Sequence, residues 1–569
     1  MEGSREPRLA ATRRLQQRPS SRYNNRTPAS LIVLNGSVLG HGRSTAIAIA
    51  DDRILSVGTD REVLDTAGPR TRTLDAAGGL ITPGFNDAHQ HLRMGAHQLP
   101  NLDLSAETTV DGIRGRIAAF AQAHPNRPWI TGRGWFYHVF PGGFPSRALL
   151  DSLIPDRPAA FESYDAHTTW VNSAALARLQ ITTETPDPAG GQIVREAGGD
   201  ATGILKERAM ELVDRALPAV SVAEDLDLLQ QAMRLANQYG VTSIQDAGVP
   251  VEQFAIYDTL RAAGMMSVRL RLAQHLEPGR SLHDVERALA DWEEVAFPRR
   301  RDPWLRGGIL KAFLDGVVES RTAALLAPYE GAAPDDPAAC GHPRWEVGEF
   351  REVVRMADRR GWQVQAHAIG DGAVRQALDG FEAAAIANGP RDRRHRIEHI
   401  ETIDPSDIPR FGRLGVIASM QPYHADPAPN LLEIWVQQIG AARASRGWAW
   451  GSIRRAGGRL AFGSDWPVVS LDPRLGLNMA VNRNTPSGEP AGGWLPQERL
   501  LVADALAGYT AGGAYAEFAE SDKGTLGSGL LADLTIWDRD LRSEPTGLLL
   551  ALVRATVVGG QVVYEQGVP

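Results

Sequence analysis

His89 and His91 stand two residues apart at the end of an apolar run, Leu80-Ile-Thr-Pro-Gly-Phe-Asn-Asp-Ala-His-Gln-His. Alternate side chains on a strand share one face, so both imidazoles can enter one cavity and hold one metal ion. The pair alone is weak, because His-x-His also occurs by chance in loops. Three later segments supply matching groups. His367 closes Gln363-Val-Gln-Ala-His, His399 lies in Arg396-Ile-Glu-His-Ile, and Asp465 ends Ala461-Phe-Gly-Ser-Asp. Neutral imidazole and carboxylate are the ligands that zinc or a similar divalent ion takes. Lys311 sits inside Gly308-Ile-Leu-Lys-Ala-Phe-Leu-Asp. A buried ammonium is costly. Lys311 is therefore expected either to pair with Asp315 or Asp465, or to be carboxylated to a carbamate that bridges two metals.

Groups this far apart meet only if a fold gathers the ends of their strands. After the His89 segment, strand-like runs recur at Val241–Asp246, Val268–Ala273, Gly308–Asp315, Gln363–His367, Arg396–Ile400, Val416–Gln421 and Leu460–Asp465. Helical patterns lie between most of them, at Ala223–Tyr239, Leu282–Val295, Val347–Arg360 and Ala373–Asn388. Eight β-then-α units predict an α/β fold, a distorted TIM (β/α)8 barrel, with each candidate ligand at the C-terminal end of a strand, where barrel chemistry occurs. Short apolar runs broken by turn residues at both chain ends predict a small β-sandwich. The expected organisation is a basic disordered tail at 1–28, the sandwich from 29–80 plus 515–569, and the barrel at 81–514. A Trp-, Pro- and Gly-rich insertion at about 100–220 is expected either to cover the barrel mouth and help shape the substrate pocket or to be a bulky, loop-rich insertion that only stabilises the fold. Its Trp129, Trp135, Phe136, Tyr137 and Phe140 are expected to form either a substrate wall or the insertion's own core.

Composition narrows the class. The chain has 569 residues, 43% hydrophobic and 22% charged, as in an ordinary globular enzyme. A net charge of -8 gives no basic footprint for nucleic acid. The single cysteine, Cys340, excludes an intramolecular disulfide framework and a multi-cysteine zinc knuckle. No apolar run is long enough for a membrane span, and the first 28 residues lack the apolar core of a secretory signal. The expected location is cytoplasmic, with a small molecule as partner and neither nucleic acid nor membrane.

Taken together, these blocks resemble the amidohydrolase superfamily, most closely amidohydrolase family 3, its YtcJ-like branch, which is similar to N-substituted formamide deformylase. The likeness also rests on Asp165-Ala-His-Thr-Thr-Trp, Thr202-Gly-Ile-Leu-Lys-Glu, Lys311-Ala-Phe-Leu-Asp-Gly-Val-Val-Glu-Ser-Arg-Thr-Ala and Gly463-Ser-Asp-Trp-Pro, and runs from about residue 30 onward. It implies a metal-dependent hydrolase. His89, His91 and Asp465 would bind the more buried ion, and a carboxylated Lys311 would bridge to a second ion held by His367 and His399. One ion is the alternative, and Glu207 or Lys206 is the rival bridge. The resemblance also makes a homodimer a family-level expectation. One departure is Val317-Val318, where relatives often carry smaller residues after Asp-Gly.

The chemistry expected is hydrolysis of a non-peptide carbon–nitrogen bond, in an N-substituted formamide or N-acyl amine, using one or two divalent ions, with Zn2+ the leading candidate. Asp465 is the expected catalytic proton carrier. His167, Trp170, Asp315, Arg321 and His424 are candidate substrate contacts, Asp315 and Arg321 also as groups orienting Lys311. Deamination or cyclic-amide opening would use the same centre, because fold does not fix reaction. A catalytically silent binding barrel is the remaining contender. A dinucleotide or phosphate enzyme is disfavoured, since no Gly-x-Gly-x-x-Gly or Walker loop is present.

Overall fold

The computed structural model describes residues 28–333 and 335–567. The tail expected at 1–28 lies outside the described residues, apart from Pro28. Strands from the two ends of the chain build two sheets. Arg53–Gly58, Ala46–Ala50, Ala29–Leu34 and Ala67–Asp75 form one, in that order. Ser37–Val38, Leu80–Pro83, Leu534–Trp537, Val553–Val558 and Gln561–Glu565 form the other. Leu31, Val33 and Ile47 from the first sheet pack in one core with Ile81, Leu534, Ile536 and Val557 from the second. Alternation along each strand is what places these side chains on the shared face.

The barrel strands are β1 (Phe85–Gln90), β2 (Val241–Val249), β3 (Arg269–His275), β4 (Leu305–Phe313), β5 (Gln363–Ala368), β6 (Arg396–His399), β7 (Ile417–Met420) and β8 (Arg459–Phe462). They lie side by side in chain order, parallel throughout. Helices Val222–Gln238, Leu282–Ala296, Val347–Arg360 and Asp371–Asn388 cover the outside with apolar stripes, as their sequence periodicity predicts. The seam between β8 and β1 is closed by loop backbone. The Asp465 N–H donates to the His89 carbonyl at 2.7 Å, and the His91 N–H to the Trp466 carbonyl at 2.8 Å.

Two sequence expectations need correction. The apolar run before His89 reads as one strand but is two. Leu80–Pro83 belongs to the terminal sheet, with Pro83 opposite Leu534, while Phe85 opens β1 opposite Val241. Gly84 makes the switch, since a Cβ there would lie 2.2 Å from the Thr242 side chain. The insertion, expected to be loop-rich, carries a six-stranded sheet running from Leu102–Asp103 to Ala201–Glu207 in sequence. Trp135, Tyr137 and Phe140 are buried in that sheet's core and Trp129 in a neighbouring cluster. Phe136 alone of the five stays partly exposed, stacked on Tyr164 with ring centres 4.8 Å apart.

Candidate metal centre

His89 lies at the end of β1 and His91 just beyond it, on the face that strand alternation demands. The two ring nitrogens of each imidazole have different duties. His89 Nδ1 lies 2.5 Å from Glu398 Oε2, and His91 Nδ1 lies 2.8 Å from the Ala247 carbonyl. Burial opposes ionisation of Glu398, but Arg396 and His89 hold its carboxyl below the ordinary range. A carboxylate and a carbonyl only accept, so both Nδ1 atoms carry the proton and donate. Both Nε2 atoms then present lone pairs, and both face one carboxylate: Asp465 Oδ1 stands 3.3 Å from His89 Nε2 and 3.1 Å from His91 Nε2. Three acceptors converge on one point, the geometry a cation satisfies.

Around this point the other candidates gather. His399 Nδ1 lies 3.9 Å from Asp465 Oδ2, its ring 5.0 Å from that of His89. His89, His399 and Asp465 bring three ligand atoms within 4.8 Å of one another. His367 packs against His399, ring centres 4.5 Å apart, with Nε2 3.2 Å from the Gly316 carbonyl. Burial and the neighbouring Lys311 and imidazoles keep His367 and His399 neutral, well below the usual histidine range. Lys311 is fully buried on β4, its Nζ 3.5 Å from His89 Nε2 and 4.6 Å from the centre of the Phe313 ring. Loss of hydration brings the ammonium down to about 8 despite Glu398 and Asp465. Asp465 is buried too, its Oδ1 facing both Nε2 atoms. The backbone of His399 (φ 70°) and Asp465 (φ 62°) is left-handed, strain of the kind that marks functional positions.

The remaining candidates divide. His424 faces the centre: its Nε2 is 3.5 Å from Asp465 Oδ2 and its Nδ1 3.6 Å from Glu401 Oε1. His167 also lines the cavity and pairs with Glu207 at 3.0 Å. Burial disfavours the imidazolium there, yet Glu207 raises it to about 9. Glu207 itself, the rival bridge, is taken up by His167 and by Thr322 Oγ1 at 2.7 Å, while Lys206 lies over the Phe144 ring. Three expectations are corrected. Trp170 is fully buried in the insertion, donating to the Ser146 carbonyl, because its side chain faces that sheet's own core. Arg321 is exposed and turned outward to Gln438 and the Glu330 carbonyl. Asp315 does not meet Lys311; its carboxylate accepts the backbone N–H groups of Ala324, Ile369 and Gly370 and lies 3.5 Å from His367.

Sequence reasoning also missed positioning residues. Glu398 orients His89. Asp87 accepts Ser464 N–H and Oγ–H at 2.9 and 2.5 Å, tying the β8 end to β1. Asp246 accepts the Leu92 N–H and the Tyr257 hydroxyl, fixing the turn after His91. Their signal was a charged residue inside an otherwise buried strand, which must have a partner. The centre opens into a cavity of about 1120 Å³, whose wall includes Phe313 and Val317 as well as the groups above.

Comparison with known proteins agrees with this architecture. A profile of the amidohydrolase family matches residues 72–564. Protein LONG AFTER FAR-RED 3 of Arabidopsis thaliana is 32% identical over 94% of this chain and 92% of its own. YtcJ of Bacillus subtilis is 31% identical over 92% and 96%. The N-substituted formamide deformylase of Arthrobacter pascens is 28% identical over 94% and 98%. Among solved structures, an uncharacterized metal-dependent hydrolase from Pyrococcus furiosus superposes with a TM-score of 0.66 at 25% identity, covering 91% of this chain and 99% of that one.

Proposed function

The chain belongs to the amidohydrolase family, and from that premise we propose that this metal-dependent hydrolase cleaves a non-peptide carbon–nitrogen bond in an N-substituted formamide or N-acyl amine. The observation that carries the reading is Asp465 Oδ1, an acceptor 3.3 Å from His89 Nε2 and 3.1 Å from His91 Nε2, two further acceptors. His399 Nδ1 and Asp465 Oδ1 are buried without hydrogen-bond partners, which fits a cation. His89, His91 and Asp465 would hold a divalent ion, with Lys311, His367 and His399 positioned to hold a second; zinc suits these donors. Such an ion supplies Lewis acidity, making water nucleophilic near neutral pH and polarising a carbonyl.

The chain's own groups then move the protons. Asp465 accepts the proton of the attacking water and returns it to the leaving nitrogen. His424, with Nε2 buried and unpartnered, donates to the substrate oxygen. Glu398 and the Ala247 carbonyl keep the two imidazoles in one tautomer through the cycle. Lys311, buried and readily neutral, would add carbon dioxide through Nζ with loss of a proton, and the carbamate so formed would serve as a carboxylate-like group for a divalent ion. Similarity to the N-substituted formamide deformylase of Arthrobacter pascens supports a formamide as substrate.

The test is a panel of formamides, acyl amides, hydantoins and amino-heterocycles assayed with metal-reconstituted protein, with the intact mass of the native protein checked for an added carboxyl on Lys311. Release of formate or a carboxylate with the free amine supports the reading. Turnover confined to ammonia release from amino-heterocycles moves the assignment to a deaminase, and no turnover with no bound metal moves it to a silent barrel.

A further inference from the structure

The cavity at the centre adjoins a second lobe of about 490 Å³. Tyr164, Glu319 and His424 line both lobes and so form the neck. Three carboxylates face this region: Asp165, Glu319 and Glu401. Among the described residues none of them forms an ion pair with a lysine or arginine, and Glu401 has only His424 at 3.6 Å. Glu319 accepts the Tyr164 hydroxyl. Glu401 accepts the Trp435 indole N–H at 2.8 Å. Asp165 is 94% buried by its 6% exposure; its Oδ1 accepts from Ser163, from Tyr137 and from the His167 N–H, while its Oδ2 has no partner at all. Arg133 lines the second lobe, donates to the Tyr164 carbonyl and has Glu162 and Asp103 as its stronger acidic neighbours, ahead of Asp165.

Buried carboxylates that no lysine or arginine pairs with directly are expensive. Burial together with Glu401 and Asp165 pushes the Glu319 carboxyl up to about 8, as expected where negative charge is in excess. A second metal ion does not fit the arrangement. Among the described residues only His89, His399 and Asp465 bring three ligand atoms within 4.8 Å of one another, so these three acids are too dispersed to chelate one ion. A larger, diffuse cation does fit. The stacked pair Phe136 and Tyr164 offers aromatic faces to it, and the lobe beyond has apolar walls at Leu99, Val468 and Leu471.

We propose that the neck is a subsite for an organic ammonium group, so that the substrate is an acylated amine carrying a second, positively charged nitrogen a few bonds from the scissile one, as in a mono-acylated diamine. This rests on the amide-hydrolase reading above for the scissile bond, though not for the cation. Two experiments separate them. Calorimetry on the metal-reconstituted protein compares choline with its uncharged isostere 3,3-dimethylbutan-1-ol, a pair in which the charged nitrogen cannot act as a metal ligand. Choline is expected to bind about tenfold tighter, and Glu319→Gln and Asp165→Asn are each expected to bring the ratio to within about threefold. Equal binding of the two compounds to the native protein, or a preference that survives both substitutions, overturns the subsite. In parallel, kcat/KM for N-(4-aminobutyl)formamide is expected to exceed that for N-pentylformamide by about tenfold. Hydrolysis of neither sinks the formamide reading while the calorimetry still decides the subsite.

Discussion

Both ends of the barrel bury charge, and they do so in opposite ways. At the base, two buried cations are gripped directly by acids. Arg269 grips Asp533 with two hydrogen bonds of 2.7 and 2.9 Å, and Lys523 lies 2.7 Å from Glu517. At the mouth, acceptors face acceptors, and Asp465 Oδ1, His399 Nδ1, His424 Nε2 and Asp165 Oδ2 are left unpartnered. Matched buried charge is architecture: it joins the barrel to the terminal sheet through Asp533, which immediately precedes the Leu534–Trp537 strand. Unmatched buried charge is held in place by the rest of the fold and awaits something from outside. The contrast locates function without reference to any motif.

It can be broken in several ways. Asp465→Asn should lower kcat/KM by roughly 10²–10⁴-fold, the usual worth of a positioned proton carrier, with the thermal midpoint little changed. A variant that unfolds, or one that retains full turnover, removes the distinction drawn here. At the base the effects should invert. Arg269→Met strands Asp533 and is expected to cost about 3–5 kcal/mol of stability, read as a lower thermal midpoint with kcat of the folded fraction preserved. Adding Asp533→Leu should restore much of that loss.

A subtler case is Glu398, which touches both ends. It lies 2.8 Å from Arg396 Nε and 2.5 Å from His89 Nδ1. Glu398→Gln should weaken metal binding by roughly 10–100-fold, as removal of such a supporting carboxylate does, measured by competition with a chelator. The smallest effect expected is in pH dependence. The His167–Glu207 pair ties the insertion to the barrel through Thr322. His167 is raised from 6.5 to about 9, so its contribution is complete below pH 6.5 and fades as pH rises through 9. Glu207 is depressed from 4.5 to about 2, so its contribution is complete above pH 4.5 and fades as pH falls through 2. The thermal midpoint should decline on both sides of that window, and Glu207→Gln should flatten both slopes.

The barrel, and the gathering of His89, His91, His367, His399 and Asp465 at one mouth, were legible in the sequence because both follow from local periodicity. Strand ends carry the chemistry, and each apolar run declared its own end. What was not legible depends on contacts between distant segments. Glu319 sits in an aperiodic stretch between Val318 and Ser320, and only the folded insertion brings Tyr164 to it. Arg321 and Trp170 were misread for the same reason. Each lies within a conspicuous block of residues, but closeness along the chain does not decide which way a side chain turns. Gly84 hid a change of sheet inside what looked like one continuous strand.

The seam carries one last consequence. The hydrogen bond from Asp465 to His89 joins the final staple of the barrel to its first, so the proposed proton carrier and the latch are the same residue. Nothing short of residue 465 can assemble a working pocket. A nascent chain leaving the ribosome stays chemically inert until nearly all of its barrel has been made, and any truncation upstream of that point yields a silent fragment rather than a weak enzyme.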